Sequence, residues 1–272
     1  MNKYLFAASL ALTASFAAAK PMISLDAGAG WGTNGIADDS TIMDGTFDLT
    51  GDGFTEPYGL NQEGNSGFYG WMKVSWPILP DVKVKYESMV LDGETSFDNE
   101  QFHVYGQTIN VDGDISTELD LSHLDVALTY GLPFPIIDID FGINARSMIG
   151  GFSATAEYNG GTTSIDAPFT DDVPVIIPMG YVSVSGGIPA TDIKLSAELS
   201  ALPFGDSSVS DWNVKATWFA PLPTSMLAEL GLEAGYRAFN LTIDGDLFGE
   251  DVSDYATDVT VSGFFFGAAF HF

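Results

Sequence analysis

The chain has 272 residues, with 9 Lys and Arg against 37 Asp and Glu, giving a formal charge of −28 on a sequence that is 46% hydrophobic and 13% aromatic. So few bases exclude a nucleic-acid groove, which needs cations to neutralise phosphates, and so much apolar content excludes disorder. With no cysteine, thiol nucleophiles, disulfide scaffolds and Cys-ligated zinc are excluded together.

Residues 1–19 read as a secretory signal peptide. Lys3 supplies a positive start, Tyr4 to Phe16 an uncharged apolar stretch, and Ala17, Ala18 and Ala19 a small-residue cleavage site. That stretch is too short to span a bilayer as a helix, and no later window is long and apolar enough to do so. The remaining chain, 20–272, is therefore either an exported soluble protein or a membrane β-barrel.

From there on, period-two alternation replaces helical periodicity. It recurs in ten segments, at about 22–31, 66–76, 81–91, 118–130, 136–148, 177–185, 192–202, 209–219, 228–241 and 258–272. In the fifth, Ile137, Ile139, Phe141, Ile143 and Ala145 oppose Asp138, Asp140, Gly142, Asn144 and Arg146. The sixth is the weakest, because Pro178 interrupts it and its faces are mixed. In the last, Phe264, Phe266, Ala268, Phe270 and Phe272 share one face. Apart from the sixth, each is long enough to cross a bilayer as a tilted strand.

The connections alternate in length. Four are short and Pro-rich: Pro77 to Pro80, Leu132 to Pro135, Gly187 to Pro189, and Pro221 to Pro223. Those between are mostly long, at about 32–65, 91–117, 149–176, 203–208 and 242–257. Short periplasmic turns and long outer loops are the pattern of outer-membrane barrels. A soluble sandwich also alternates along its strands, but has no reason to sort its connections in turn. The expected fold is an all-β, up-and-down antiparallel transmembrane β-barrel of about ten strands, with both termini periplasmic.

The bases locate the interior. Lys73, Lys83, Lys85, Arg146, Lys194, Lys215 and Arg237 all fall on the polar face of a predicted strand. The same faces carry Asp26, Glu87, Asp125, Asp138, Asp140, Glu198, Asp211, Glu229 and Glu233. Turned into a lumen, such mixed charges must pair. The expected network is built from those seven bases with Glu87, Asp125, Asp138, Asp140, Glu198 and Glu233. A ten-stranded barrel is only slightly wider than one that side chains fill, so a narrow or blocked lumen is expected. Trp76, Tyr130, Trp218 and Phe272, with Trp31, Phe68, Trp212 and Phe264 towards the opposite ends, fit two interfacial girdles.

The run Val261-Ser262-Gly263-Phe264-Phe265-Phe266-Gly267-Ala268-Ala269-Phe270-His271-Phe272 resembles the terminal signal by which the barrel-assembly machinery recognises Gram-negative outer-membrane proteins. On that resemblance Phe264, Phe266, Phe270 and Phe272 form the assembly signal. The segments Asp120-Leu121-Ser122-His123-Leu124-Asp125 and Gly235-Tyr236-Arg237-Ala238-Phe239 are similar to those of small exported barrels from marine and related proteobacteria. That family's members mostly have no assigned function, so the resemblance implies a location more than an activity.

His103 falls in the second long loop, His271 at the lumen rim, and His123 shares a polar face with Asp125 near the outer rim. Omptin proteases, ten-stranded barrels, carry His and acidic groups at that rim. A general base needs an orienting partner and a second group to position water. Asp125 offers the first for His123, but no omptin-like local motif accompanies the pair, and no G-x-S-x-G occurs. No catalytic residue and no cofactor are assigned.

The long loops hold most of the acids and no Lys or Arg. Asp48 to Glu56 resembles the start of a calcium loop, but Gly59 stands where an EF-hand needs a bidentate Glu. Asp-Gly pairs serve equally as turns. The sequence thus points to a monomeric structural or interaction protein of the outer membrane, with a narrow channel for small, cationic solutes as the alternative and a rim-site hydrolase third. Its expected partners are membrane lipid and lipopolysaccharide, the assembly machinery and divalent cations at the loops, with no nucleic acid.

Overall fold

The computed structural model describes residues 23–272 apart from 44, 53–56, 105–106, 135, 159–160, 169–175, 222–227, 245, 248–249 and 252–255. The signal segment and Lys20 lie outside the described residues.

Ten strands form a ring: β1 (Ser24–Gly32), β2 (Gly67–Ser75), β3 (Asp81–Glu87), β4 (His123–Pro133), β5 (Asp138–Met148), β6 (Ile176–Gly187), β7 (Ile193–Phe204), β8 (Ser207–Phe219), β9 (Glu229–Ile243) and β10 (Thr257–His271). Each pairs antiparallel with the next. β10 then pairs back onto β1, from His271 opposite Asp26 to Phe265 opposite Gly32. Closure removes every sheet edge within the wall.

The alternation works in the sense the sequence implies. Along β5, Ile143 is 65% exposed and Arg146 is completely buried. Leu124, Val126, Leu128 and Tyr130 of β4 point outwards while Asp125, Ala127 and Thr129 are buried. A water-soluble sandwich would have the opposite polarity. An apolar exterior around a polar interior is the organisation of a transmembrane β-barrel.

Ser24, Phe272 and the described parts of the Pro-rich connections share one end of the barrel, the terminal end. The turn after β6 is closed by Ile188 N–H donating to the Ile193 carbonyl at 2.8 Å. The Pro221–Pro223 turn lies mostly outside the described residues. At the opposite, loop end, β7 passes into β8 through Gly205 and Asp206. Gly205 has φ +58°, a left-handed conformation that only a residue without Cβ adopts freely.

Among the described residues, the second and third long connections and the end of the first form strands in place of loops. A second, five-stranded sheet stands beyond the barrel, with strands in the spatial order Gly161–Pro168, Gly151–Tyr158, Gln107–Asp120, Val90–Val104 and Gln62–Gly64. This shortens two of the expected transmembrane segments. The expected strand 81–91 ends at Glu87, and the expected strand 118–130 begins at His123. The break between sheets is chemical: the Ser122 amide donates to Asp120 Oδ1 at 2.8 Å, and Ser122 Oγ accepts from the Met89 amide at 3.0 Å. β6, expected to be the weakest strand, pairs with β5 from Ile176 to Ser185, with Pro178 opposite Ala145.

Alternation continues into the outer sheet with its own sense. Leu91, Phe97, Ile115 and Leu119 are buried, and Asp92, Glu94, Asp98, Asp114 and Glu118 are exposed. The buried face meets Ile42, Phe47, Leu49 and Leu60 from the first connection. These in turn pack on the inward residues at the loop end of the barrel, among them Met148, Met179, Val209, Phe239 and Val261. The hydrophobic core of this protein therefore sits in the barrel mouth, as a cap.

Candidate functional site

Below the cap the lumen is filled by side chains in tiers. Next to the cap, Arg146 grips Asp125 with two parallel hydrogen bonds of 2.8 and 2.7 Å, a bidentate charge-assisted geometry, and also pairs with Asp211. Lys85 reaches Glu87 at 2.7 Å and Asp211 at 3.4 Å, and Arg237 pairs with Glu87. Three bases face three acids, so the tier is neutral. Arg237 also donates to Asn34 Oδ1, joining the network to the first connection. The Phe239 ring lies 5.2 Å from the Arg146 guanidinium and 5.9 Å from the His123 ring, where apolar cap meets charge.

The middle tier holds Lys83 with Glu198, and Lys215 with Glu233 at 2.9 Å. Glu233 also accepts from Tyr69 Oη at 2.8 Å and Trp71 Nε1 at 3.0 Å, and the Lys215 ammonium sits 3.9 Å above the Trp71 ring. Two bases again face two acids. The glycines opposite make the room. A Cβ at Gly28 would lie 2.4 Å from Trp71 Nε1, and one at Gly267 would lie 2.4 Å from Tyr69 Oη.

Nearest the terminal end, Lys73 contacts Asp140 at 2.6 Å and Asp81 at 3.0 Å, and Ser183 donates to Asp140. His271 Nδ1 lies 2.7 Å from Asp26 Oδ1, joining the closing strands. Two lumenal cavities, of about 30 Å³ and 20 Å³, lie within the upper and middle tiers. Each has room for a water or two, since one water needs roughly 10–15 Å³.

Of the residues assigned to the network from sequence, the structure brings eleven into ion pairs: Lys73, Lys83, Lys85, Glu87, Asp125, Asp140, Arg146, Glu198, Lys215, Glu233 and Arg237. It does not bring in Asp138 or Lys194. Asp138 is exposed at the barrel end, and Lys194, near the start of β7, makes no ion pair among the described residues. Both sit on the correct face but too near the rim to meet a partner. Asp211, placed on the polar face but not in the network, completes it together with Tyr69, Trp71 and Asp81, which sequence reasoning does not assign. Tyr69 and Trp71 have the parity of Lys73 on β2, and that is the signal that finds them. Asp211 shows that a residue on the polar face can hold two bases at once.

His123 is not at an open rim. It is completely buried, and Asp125 is turned away from it to Arg146. Its Nδ1 lies 3.0 Å from the Leu121 carbonyl oxygen, and its Nε2 lies 3.7 Å from Glu87 and 3.6 Å from Asp211. Ligand atoms of Glu87, His123 and Asp211 lie within 4.8 Å of one another, the spacing of a metal-binding cluster. The two carboxylates already hold Lys85, Arg146 and Arg237. A divalent ion there would leave a buried excess of positive charge, so the donor set does not fit a metal.

In the calcium-like segment, Asp48 Oδ1 accepts from the amides of Thr50 and Gly51, both at 3.0 Å, as the hub of a turn. Residues 53–56 lie outside the described residues, as do parts of 244–257. Of the four residues that the sequence resemblance reads as an assembly signal, Phe264, Phe266 and Phe272 are exposed on the outer wall at 71%, 66% and 38%.

The fold and interior define a closed ten-stranded β-barrel of transmembrane type with a side-chain-filled lumen. Among solved structures it is similar to the outer membrane protease OmpT from Escherichia coli, with 10% identity over 92% of this chain and 96% of that one and a TM-score of 0.42. It also matches a Pseudomonas aeruginosa FadL homologue (8% identity, 92% and 89% of the chains, TM-score 0.27) and outer-membrane expressed OmpT of Vibrio cholerae (12%, 93% and 99%, TM-score 0.23). No protein-family profile and no curated protein matches the chain.

Proposed function

We propose that this chain is an integral outer-membrane barrel that anchors a β-sheet beyond the membrane surface, serving a structural or interaction role and not solute passage or catalysis. The observation that carries this reading is a lumen obstructed twice over, by ion-paired tiers and then by an apolar cap. A diffusion pore needs a wetted path, and the two lumenal cavities between the tiers, of about 30 and 20 Å³, each have room for no more than a water or two. A hydrolase of the rim type needs an accessible base, and His123 is buried beneath the cap.

The exposed face of the outer sheet supports the interaction role. Register places Glu63 opposite Asp92, and Asp92 opposite Glu118. Directly opposed like charges destabilise a sheet, and an acidic face of this kind favours cationic partners, including divalent cations bridging to lipopolysaccharide.

Planar-bilayer recording on the purified chain tests this reading. No stepwise conductance is expected at any voltage the bilayer tolerates, and well-resolved steps would overturn it. The membrane assignment predicts fractionation with the outer membrane and a gel mobility that shifts on boiling, whereas release with soluble periplasmic proteins would contradict it.

A further inference from the structure

The two edges of the outer sheet are finished differently. Gln62–Gly64 is three residues long and packs against the Asn34 carbonyl. Gly161–Pro168 is eight residues long and pairs with Gly151–Tyr158 on one side, while no described residue pairs with its other side. Proteins blunt such an edge with Lys, a bulge, an interior Pro or brevity. None of these protects Gly161–Pro168. Its register runs from Gly151 opposite Pro168 to Tyr158 opposite Gly161 without a shift, and the strands of the outer sheet hold no Lys or Arg.

Register also shows which groups the edge offers. Only two residues separate Tyr158 from Gly161, so these form the closing hydrogen-bonded pair of a hairpin. Hydrogen-bonded and non-hydrogen-bonded pairs then alternate along it. Thr162, Ser164 and Asp166 fall on non-hydrogen-bonded positions, where an edge residue turns both its N–H and its C=O outwards. Pro168 falls on the same set, where a missing N–H costs the ladder nothing. The side chains of Thr162, Ser164 and Asp166 are exposed, on the face that carries the acids. Asp166 lies in one row with Ser153, Glu118, Asp92 and Glu63.

We propose that this edge docks an extended segment of a partner protein that carries Lys or Arg at alternate positions, added to the outer sheet as a further strand. Main-chain bonds to Thr162, Ser164 and Asp166 supply affinity, and alternate side chains supply specificity. Those side chains stand about 5 Å from their cross-strand neighbours, so a base there meets Asp166 directly and feels the acidic row behind it. Charge chooses the occupant. A second copy is a poorer one, because each chain carries a formal charge of −28 and edge pairing would join two acidic faces. A lipid headgroup offers no ladder of donors and acceptors.

The proposal deepens the interaction role above and rests on it. The probe is a short synthetic peptide in which Lys alternates with Thr, offered to the full-length chain in detergent micelles. Two further peptides carry Glu in place of Lys, or Pro in place of the central Thr at equal charge. The Lys peptide is expected to bind, less tightly at high salt. It should slow amide exchange at Thr162, Ser164 and Asp166, which is fast in the free chain, whereas Thr163 and Ile165 exchange slowly in both states. Ser164→Pro removes an outward N–H and leaves the ladder to Gly151–Tyr158 intact, and should lower affinity about tenfold. Asp166→Asn should lower it about threefold. Asp206→Asn, at an exposed acid in the turn after β7, should leave affinity as in the parent. Equal binding of the Pro-interrupted peptide, preference for the Glu peptide, unchanged exchange at 162–166, or dimers formed through this edge would each overturn this proposal alone. Stepwise conductance from the same preparation in a planar bilayer would overturn the role on which it rests.

Discussion

The two halves of the barrel interior solve one packing problem by opposite means. Around Arg146 and Glu233 the space is filled with charge, and every base is answered by an acid. Above Phe239 the same inward positions carry Met148, Met179, Val209 and Val261, and are filled by Ile42, Phe47, Leu49 and Leu60 from the first connection. The difference lies in what each region meets. Side chains pointing into the membrane-level lumen meet only one another and a few waters, so polar groups survive there by mutual pairing. At the mouth a folded segment is available to cover the surface, and ordinary hydrophobic burial takes over. An interior can therefore be closed to solutes without being uniformly polar or uniformly apolar.

Substitutions in the two regions sharpen that contrast. The largest effect is expected from Arg146→Ala, which strands Asp125 as an uncompensated buried charge and leaves Asp211 with Lys85 alone, at 3.4 Å. Breaking a buried pair in this way costs about 3–5 kcal/mol, readable as a lower denaturant midpoint in reconstituted vesicles. In the cap, Leu49→Ala removes a fully buried side chain and should cost about 2–5 kcal/mol. Its distinguishing sign is faster proteolysis in the connection 33–65 while the barrel wall stays protected. Equal acceleration in both regions would show that cap and lumen unfold as one unit.

Replacing both members of the Lys215–Glu233 pair, as Lys215→Met with Glu233→Leu, is expected to be near neutral or stabilising by roughly 1–4 kcal/mol. A single Lys215→Met change should be clearly destabilising. A loss in the double variant equal to that in the single one would mean that the hydrogen bonds from Tyr69 and Trp71 to Glu233 matter more than charge balance. The smallest effect is expected at the rim. Asp26→Asn weakens a half-exposed contact with His271 and should change stability by about 0–1 kcal/mol, less at high salt.

Much of the wall was legible because a strand writes its environment at every second residue. The run from Asp138 to Arg146 gives span, orientation and inward face before any coordinates exist. The lumen network was legible for the same reason, down to Lys73, Lys83 and Arg146, because a base on the polar face of a membrane strand has nowhere else to go. The errors arose where parity gives the face but not the height. Asp138 and Lys194 lie on the inward face at the rim, where neither meets an ionic partner. His123 and Asp125 share a face but do not bond, because Arg146 from the neighbouring strand takes Asp125 first.

The sequence by itself determined that this is a closed wall with apolar outside and charge inside, because alternation and connection length are local properties that no tertiary contact needs to supply. Only the tertiary structure decided how that wall is stoppered. The apolar residues of the first connection and the alternating strands of 90–120 carry no mark of where they fold, and the cap exists only because barrel closure brings Leu49, Phe97 and Phe239 to one place. The acidity of the chain likewise became meaningful only in three dimensions. Pairing cancels it in the two upper lumen tiers, and on the outer face of the second sheet register sets Glu63, Asp92 and Glu118 side by side.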